Sequence, residues 1–163
     1  MAGRAGQGAA VPPAVFHDTP SILNEQTTTR GPARMSEWSD WYSKEDPSSW
    51  VLARVLRERA EVSPDREFLK FAGDGWLSYG RVNALSNRVA NALLARGVGR
   101  GESVSVMLPN CAEFMPVWFG VLKAGAVMSS INTAYKGDFL SWTVNLVEAR
   151  FLVISDTFLD RLD

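Results

Sequence analysis

The sequence predicts an α/β fold, a partial layered βαβ arrangement with a mainly parallel sheet, preceded by a β-hairpin and a disordered N-terminal arm. Two observations lead to this prediction. From residue 50 onward, short apolar strands alternate with amphipathic helices, which is typical of a parallel sheet with helical crossovers. Residues 1–34, in contrast, hold half of the eight prolines and only short apolar clusters, so they cannot bury enough surface to offset their chain entropy.

Two segments precede the predicted domain, the arm at 1–34 and a lead-in segment at 35–49. The arm is read as an inert extension, with organellar targeting or a true start at Met35 as the alternatives. The lead-in carries Trp38, Trp41 and Tyr42 among charged residues, and we interpret these aromatics as anchors on the domain surface. An aromatic ligand platform is the alternative reading.

The first elements of the domain are a helix and a hairpin. Ser48 or Ser49 is expected to cap a helix that runs to about Val62 and is stopped by Pro64. Its predicted apolar face consists of Val51, Leu52, Val55, Leu56 and Ala60. Two strands at 67–72 and 76–79, joined by a glycine-containing turn at 73–75, predict the hairpin.

The remaining elements alternate between helix and strand. The predicted helices are 80–96, 111–124 and 138–149, and the predicted strands are 102–108, 126–131 and 151–154, followed by a turn at 157–162. Gly97 and Gly125 are placed to end the first two of these helices, and Asn110 with Glu113 predicts a capping box at the start of the second. That second helix is apolar nearly all round and should be buried on more than one side. The three strands are short and apolar, as strands covered on both faces should be.

Composition excludes several classes of function. The formal net charge of −1 gives no electrostatic case for nucleic acid. One cysteine, Cys111, and one histidine, His17, exclude an internal disulfide, a Cys-rich zinc site and a His cluster. No apolar run is long enough to span a bilayer, so we expect no transmembrane segment and a cytoplasmic chain, with organellar targeting by residues 1–34 as the alternative.

The glycine-rich and acidic patterns favour structural roles. The glycines at 97, 99 and 101 follow a helix and precede a strand, the reverse of a phosphate-binding loop, so they predict an ordinary helix-to-strand turn. Glu58 and Glu61 interleave with Arg57 and Arg59, which predicts a solvated helix face.

Three further side chains are candidates for a catalytic or phosphate-binding role. Cys111 at a predicted helix start could have a lowered thiol pKa, but no imidazole partner other than His17 exists, so a structural thiol is favoured. Lys123 is explained by helix-end electrostatics and Lys136 by solvation of a loop. The residues alone therefore predict no catalytic residue, no cofactor-binding residue and no metal ligand.

Two ordered motifs carry a resemblance to a known family. Leu77-Ser78-Tyr79-Gly80-Arg81-Val82 is similar to the first core motif of the AMP-forming acyl-CoA synthetases, and Leu122-Lys123-Ala124-Gly125-Ala126 to the second. Residues 68–156 resemble the N-terminal part of these adenylate-forming enzymes, and residues 132–155 are most similar to the branch that activates carnitine-type, bile-acid and long-chain acids. Arg81-Val82 replaces the usual Glu-Leu, and Ser130 stands where proline is common.

The resemblance implies a reaction for the parent enzyme and none for this chain alone. The family joins a carboxylic acid to coenzyme A through an acyl-adenylate, with ATP and Mg²⁺. Its Ser/Thr/Gly-rich loop, its aspartate and arginine motifs and its lid lysine match no residue here. We therefore expect residues 50–163 to be an incomplete N-terminal subdomain that is inactive alone, binds no cofactor and can self-associate through open sheet edges. The alternative is a non-catalytic partner-binding module or a subunit of a split ligase.

Overall fold

The computed structural model describes residues 51–71 and 75–162 of the chain. The elements are α1 (Leu52–Val62), β1 (Glu67–Lys70), β2 (Trp76–Ser78), α2 (Tyr79–Ala95), β3 (Ser103–Met107), α3 (Phe114–Lys123), β4 (Val127–Ser130), α4 (Gly137–Leu146), β5 (Phe151–Ile154) and a 3₁₀ helix (Asp156–Arg161). The arm, the lead-in segment with its aromatics, Ser48, Ser49 and most of the predicted hairpin turn lie outside the described residues.

The predicted hairpin and parallel sheet are both confirmed. β1 and β2 pair antiparallel, with Leu69 opposite Leu77 and Lys70 opposite Trp76. The other three strands form a parallel sheet in the order β4-β3-β5. β3 is therefore the central strand, and the chain reaches β4 on one side of it before crossing to β5 on the other.

The sheet is covered on both faces because alternate side chains of its strands point in opposite directions. On one face, Val104, Val106 and Val153 pack with apolar residues of α2 and α3. On the other face, Met107 and Leu152 pack with Leu140 of α4 and with the 3₁₀ helix. A further cluster joins the hairpin to α1, α2 and α3.

Helices α2 and α3 cross at a glycine. A Cβ atom on Gly120 would lie 2.5 Å from Val89 Cβ and 3.0 Å from the carbonyl oxygen of Ser86, so the contact requires the absence of a side chain. Every residue of α3 is buried or half-buried, which confirms the prediction that this helix is covered on more than one side.

Three helices end in the same hydrogen-bonded motif before the next strand begins. At Gly97 and Gly125, which have φ of 83° and 75°, two backbone N–H groups bond back to the last turn of α2 and α3, as a Schellman cap requires. At the end of α4 the same position is held by Glu148, with φ of 52°. Its N–H donates to Asn145 O at 3.0 Å, and the next N–H, of Ala149, donates to Val144 O at 3.3 Å.

Several predicted boundaries are wrong by a few residues. α3 begins at Phe114, and its N-cap residue Glu113 makes no side-chain capping bond, so the capping box with Asn110 does not form. A helix starting at Cys111 would place Pro116 beyond the first turn, where proline lacks a required N–H and clashes with the preceding carbonyl. α4 ends at Leu146 rather than at residue 149, because Glu148 leaves the helical conformation.

The start of α2 differs slightly from the prediction. The helix begins at Tyr79, and the Ser78 side chain accepts a hydrogen bond from the Arg81 N–H at 3.2 Å. Ser78 is thus an N-cap that the sequence reading missed.

The predicted faces of α1 and β4 also need correction. The N-cap of α1 is Val51, which makes no side-chain capping bond, so the serine cap is not confirmed. Val51 and Leu52 are 53% and 48% exposed, and Arg59, expected on a solvated face, is only 5% exposed. β4 lies at the edge of the described sheet with Val127 55% exposed, so it is not covered on both faces as β3 is.

Candidate functional site

A cleft of about 600 Å³ lies at the carboxyl edge of the parallel sheet. Its walls come from the loop that follows β4 and from the 3₁₀ helix that follows β5, the two strands that flank β3. Ligands of open α/β sheets commonly bind outside the carboxyl ends of the strands. The position of this cleft at that edge makes it the candidate site.

Five residues line the cleft, two of them cationic. They are Thr133, Ala134, Lys136, Asp160 and Arg161.

Arg161 connects the two walls of the cleft. Its Nη1 donates a hydrogen bond to the backbone oxygen of Thr133, which lies 28 residues earlier in the chain. The guanidinium also lies over the Phe158 ring, with Cζ 4.9 Å from the ring centroid. Its Nε is buried and has no hydrogen-bond partner in the described part of the chain. A buried N–H donor without a partner is costly to the fold.

The opposite wall is held in shape by a local turn. Asn132 Oδ1 accepts a hydrogen bond from the Ala134 N–H at 2.9 Å, and the Tyr135 N–H donates to the backbone oxygen of Asn132 at 3.0 Å. Such a side-chain-to-backbone turn fixes a loop without a helix or strand. It presents the Thr133 carbonyl to Arg161.

The charges of the cleft favour an anionic group. Lys136 and Arg161 provide two positive side chains against the one carboxylate of Asp160. A guanidinium and an ammonium at one surface bind phosphate or carboxylate oxygens through charge-assisted hydrogen bonds. In residues 51–71 and 75–162 no group of three or more His, Cys, Asp or Glu side chains could hold a metal ion.

The glycine-rich segment lies away from this cleft, at the amino edge of the sheet. Gly97 and Gly101 have positive φ and shape the turn between α2 and β3, as predicted. The Glu102 carboxylate accepts the Gly99 N–H at 2.9 Å and Arg150 Nη1 at 3.2 Å. These contacts, the Gly99 bond first, lower the pKa of Glu102.

The acidic residues of α1 form ion pairs along the helix. Arg54 Nε lies 2.6 Å from Glu58 Oε1, and Arg57 Nε lies 3.9 Å from Glu61 Oε1. Both pairs have i,i+4 spacing on a partly exposed surface, where such pairs contribute little. Both carboxylates therefore pair with arginines of their own helix.

Cys111 differs from the prediction. α3 begins three residues later, so Cys111 precedes the helix rather than opening it. Burial raises the pKa of the Cys111 thiol, and the neighbouring Glu113 raises it further. An elevated thiol pKa disfavours the reactive thiolate, which agrees with the structural role.

Lys123 makes more contacts than helix-end electrostatics alone predicts. Its Nζ donates to Asn83 Oδ1 at 2.5 Å, to Asn87 Oδ1 at 2.8 Å and to the backbone oxygen of Asn83 at 3.2 Å. These bonds join the end of α3 to α2. Burial, and next the positive charge of Arg57, lower the pKa of Lys123 to about 8.

The sequence reading missed the cleft. Lys136 was assigned to loop solvation, and Asp160 and Arg161 were not singled out, because neither forms a recognisable motif. The signal that could have identified them is positional: both segments follow the end of a predicted parallel strand.

Within the described residues, no helix is both long enough and apolar enough to cross a bilayer.

Comparison with known proteins identifies the family. Residues 56–163 match the family model of the AMP-binding enzyme. The chain is 42% identical over 81 residues to a crotonobetaine/carnitine–CoA ligase of Proteus mirabilis. This match covers 50% of this chain and 16% of the ligase. It is 37% identical over 102 residues to the medium/long-chain-fatty-acid–CoA ligase FadD6 of Mycobacterium tuberculosis, covering 63% of this chain and 17% of the relative. The chain thus spans about a sixth of the length of these curated relatives.

Solved structures of similar proteins agree with this match. The inhibitor-bound N-terminal domain of FACL13 from Mycobacterium tuberculosis superposes with a TM-score of 0.59 at 32% identity, over 63% of this chain and 26% of that domain. The anthranilate CoA ligase AuaEII, in complex with anthranoyl-AMP, superposes with a TM-score of 0.63 at 28% identity, over 68% of this chain and 21% of the ligase. The chain therefore belongs to the AMP-binding enzyme family, and it corresponds to the N-terminal part of the AMP-forming acyl-CoA synthetases.

Proposed function

We propose that the chain is the N-terminal section of an ATP-dependent acyl-CoA ligase. The whole enzyme would join a carboxylic acid to coenzyme A through an acyl-adenylate, releasing pyrophosphate and then AMP. The observation that carries this proposal is the match of residues 56–163 to the AMP-binding enzyme model. The names of the relatives support a fatty or carnitine-type acid as the substrate.

The chain alone is proposed to be inactive. Adenylation needs preorganised donors around the phosphates, a metal ion that spreads the developing charge, and a positioned cation at the carboxylate. No residue of the sequence matches the family motifs that would supply them. We therefore propose that residues 50–163 form a structural part of the ligase domain and supply none of its catalytic groups.

Within that scaffold, we assign the cleft at the carboxyl edge to an anionic part of a substrate. ATP, coenzyme A and the carboxylic acid all carry negative charge, and Lys136 and Arg161 can hold phosphate or carboxylate oxygens. The two cationic side chains among the five residues that line the cleft support this assignment.

The first experiment tests the isolated chain. It is incubated with Mg-ATP, a fatty acid or carnitine, and coenzyme A, and pyrophosphate release is followed. No turnover above background is expected. Turnover that grows in proportion to the protein concentration would refute the claim that the chain is inactive alone.

The second experiment tests the family role with a chimera. Residues 56–162 replace the corresponding N-terminal segment of the Proteus mirabilis crotonobetaine/carnitine–CoA ligase, and pyrophosphate release is measured after cooperative unfolding has been verified. An active chimera is expected, because the two proteins are 42% identical over the 81 residues that match. A chimera that is folded and binds substrates but cannot form acyl-adenylate would contradict the proposal.

In the same chimera, Lys136→Ala and Arg161→Ala test the cleft. Each is expected to raise the KM of one anionic substrate about tenfold, the effect of losing one charge-assisted hydrogen bond of about 1.4 kcal/mol. Arg161→Lys keeps the charge and should lose less. Lys70→Ala is the matched control, because that lysine lies over Trp76 in the hairpin. KM values that equal those of the unsubstituted chimera in all four variants would exclude the cleft as a binding site.

Self-association through open sheet edges is proposed as a secondary property. β4 and β5 form the two edges of the described parallel sheet, and unpaired strand edges are templates for association. Light scattering after size-exclusion chromatography should show an average mass that rises with concentration. A constant monomer mass would refute this, and a stable complex with a separate ligase section would favour the split-ligase alternative.

A cytoplasmic location stays a prediction from the sequence, with organellar targeting by residues 1–34 as its alternative. Imaging of a C-terminal fluorescent fusion would test it, and organellar fluorescence that is lost on deleting residues 1–34 would show targeting by the arm instead.

A further inference from the structure

We draw no further inference here: the strongest candidate, the exposed flank of α4 that carries Phe139, Trp142 and Leu146, is an unpartnered apolar helix face, and nothing in the structure shows what covers it.

Discussion

Replacing Glu148 with glycine is expected to stabilise the protein. Glu148 occupies the left-handed position that ends α4, with φ of 52°, and its exposed side chain makes no hydrogen bond or ion pair within the described residues. A left-handed conformation costs a residue with a Cβ roughly 1–2 kcal/mol. Glycine avoids this cost, but it loses about 0.5–1 kcal/mol more in chain entropy on folding. The net gain should be about 0.5–1 kcal/mol.

A gain of this size is measurable by thermal or urea unfolding of the full chain, followed by circular dichroism. For a domain of about 100 residues, 1 kcal/mol corresponds to a shift in Tm of roughly 4–8 °C, so a gain of about 0.5–1 kcal/mol should raise Tm by about 2–8 °C.

Two control variants separate backbone strain from side-chain effects. Glu148→Ala keeps a Cβ at the left-handed position and should change Tm by less than about 2 °C. Gly97→Ala introduces a Cβ at the equivalent position of α2, where φ is 83° and no atom lies within 4 Å of the added carbon. It should therefore lower stability by about 1 kcal/mol through strain alone. A loss of stability in Glu148→Gly, or unchanged stability in Gly97→Ala, would refute the reasoning.

Three further predictions concern contacts of buried or half-buried residues. Gly120→Ala should destabilise by about 1–3 kcal/mol, because the added Cβ would lie 2.5 Å from Val89; an unchanged urea midpoint would contradict the tight crossing. Ser105→Ala should be neutral or stabilising by up to about 1 kcal/mol, because the buried Ser105 hydroxyl has no hydrogen-bond partner among the residues that the structure describes. Ser86→Ala, which removes a hydroxyl bonded within α2, should cost about 0.5–1.5 kcal/mol, and the opposite order would contradict this reasoning. Lys123 has a folded-state pKa of about 8, below its ordinary value of 10.5, so between pH 8 and 10.5 the unfolded chain binds more protons and stability should rise with pH. Unfolding midpoints across this range should show a rise that is absent in Lys123→Met; the same slope in both proteins would exclude Lys123 as its source.

Local signals in the sequence predict much of the fold. Gly97 and Gly125 mark two helix ends because glycine favours the left-handed position of a Schellman cap, and that preference can be read from one residue. The alternation of helices with short apolar strands then predicts the parallel sheet. The predicted end of α4, at residue 149, is wrong because the left-handed position that ends this helix is held by Glu148 and not by a glycine.

Other errors arise where packing or a single proline overrides a local pattern. Asn110 and Glu113 have the spacing of a capping box, but Pro116 fixes the start of α3 further along the chain. Arg59 belongs to a charged run, yet the contact of α1 with its neighbouring helices buries it to 5% exposure. In both cases the outcome depends on a residue or a helix contact that lies outside the local pattern used for the prediction.

The cleft could not be predicted from local patterns because its walls meet only through the sheet. Thr133 and Arg161 are 28 residues apart in the chain. They meet because β4 and β5 both pair in parallel with β3, so the segments that follow these two strands leave the same edge of the sheet. The order of strands in a sheet is a tertiary property that helix and strand periodicity does not specify. Motif searches also fail here, since two cations from separate loops form no contiguous pattern.

The structure separates the positions that fix the fold from those that can bind a ligand. Gly97, Gly125 and Glu148 all lie where a helix returns to the start of a strand, at the amino edge of the sheet. Lys136 and Arg161 lie beyond the strand ends, at the opposite edge. Because substitutions at distant sites without shared partners are nearly additive, Glu148→Gly should stabilise the chimera without changing the KM effects of substitutions in the cleft. A change in those KM effects would show that the two edges are energetically coupled.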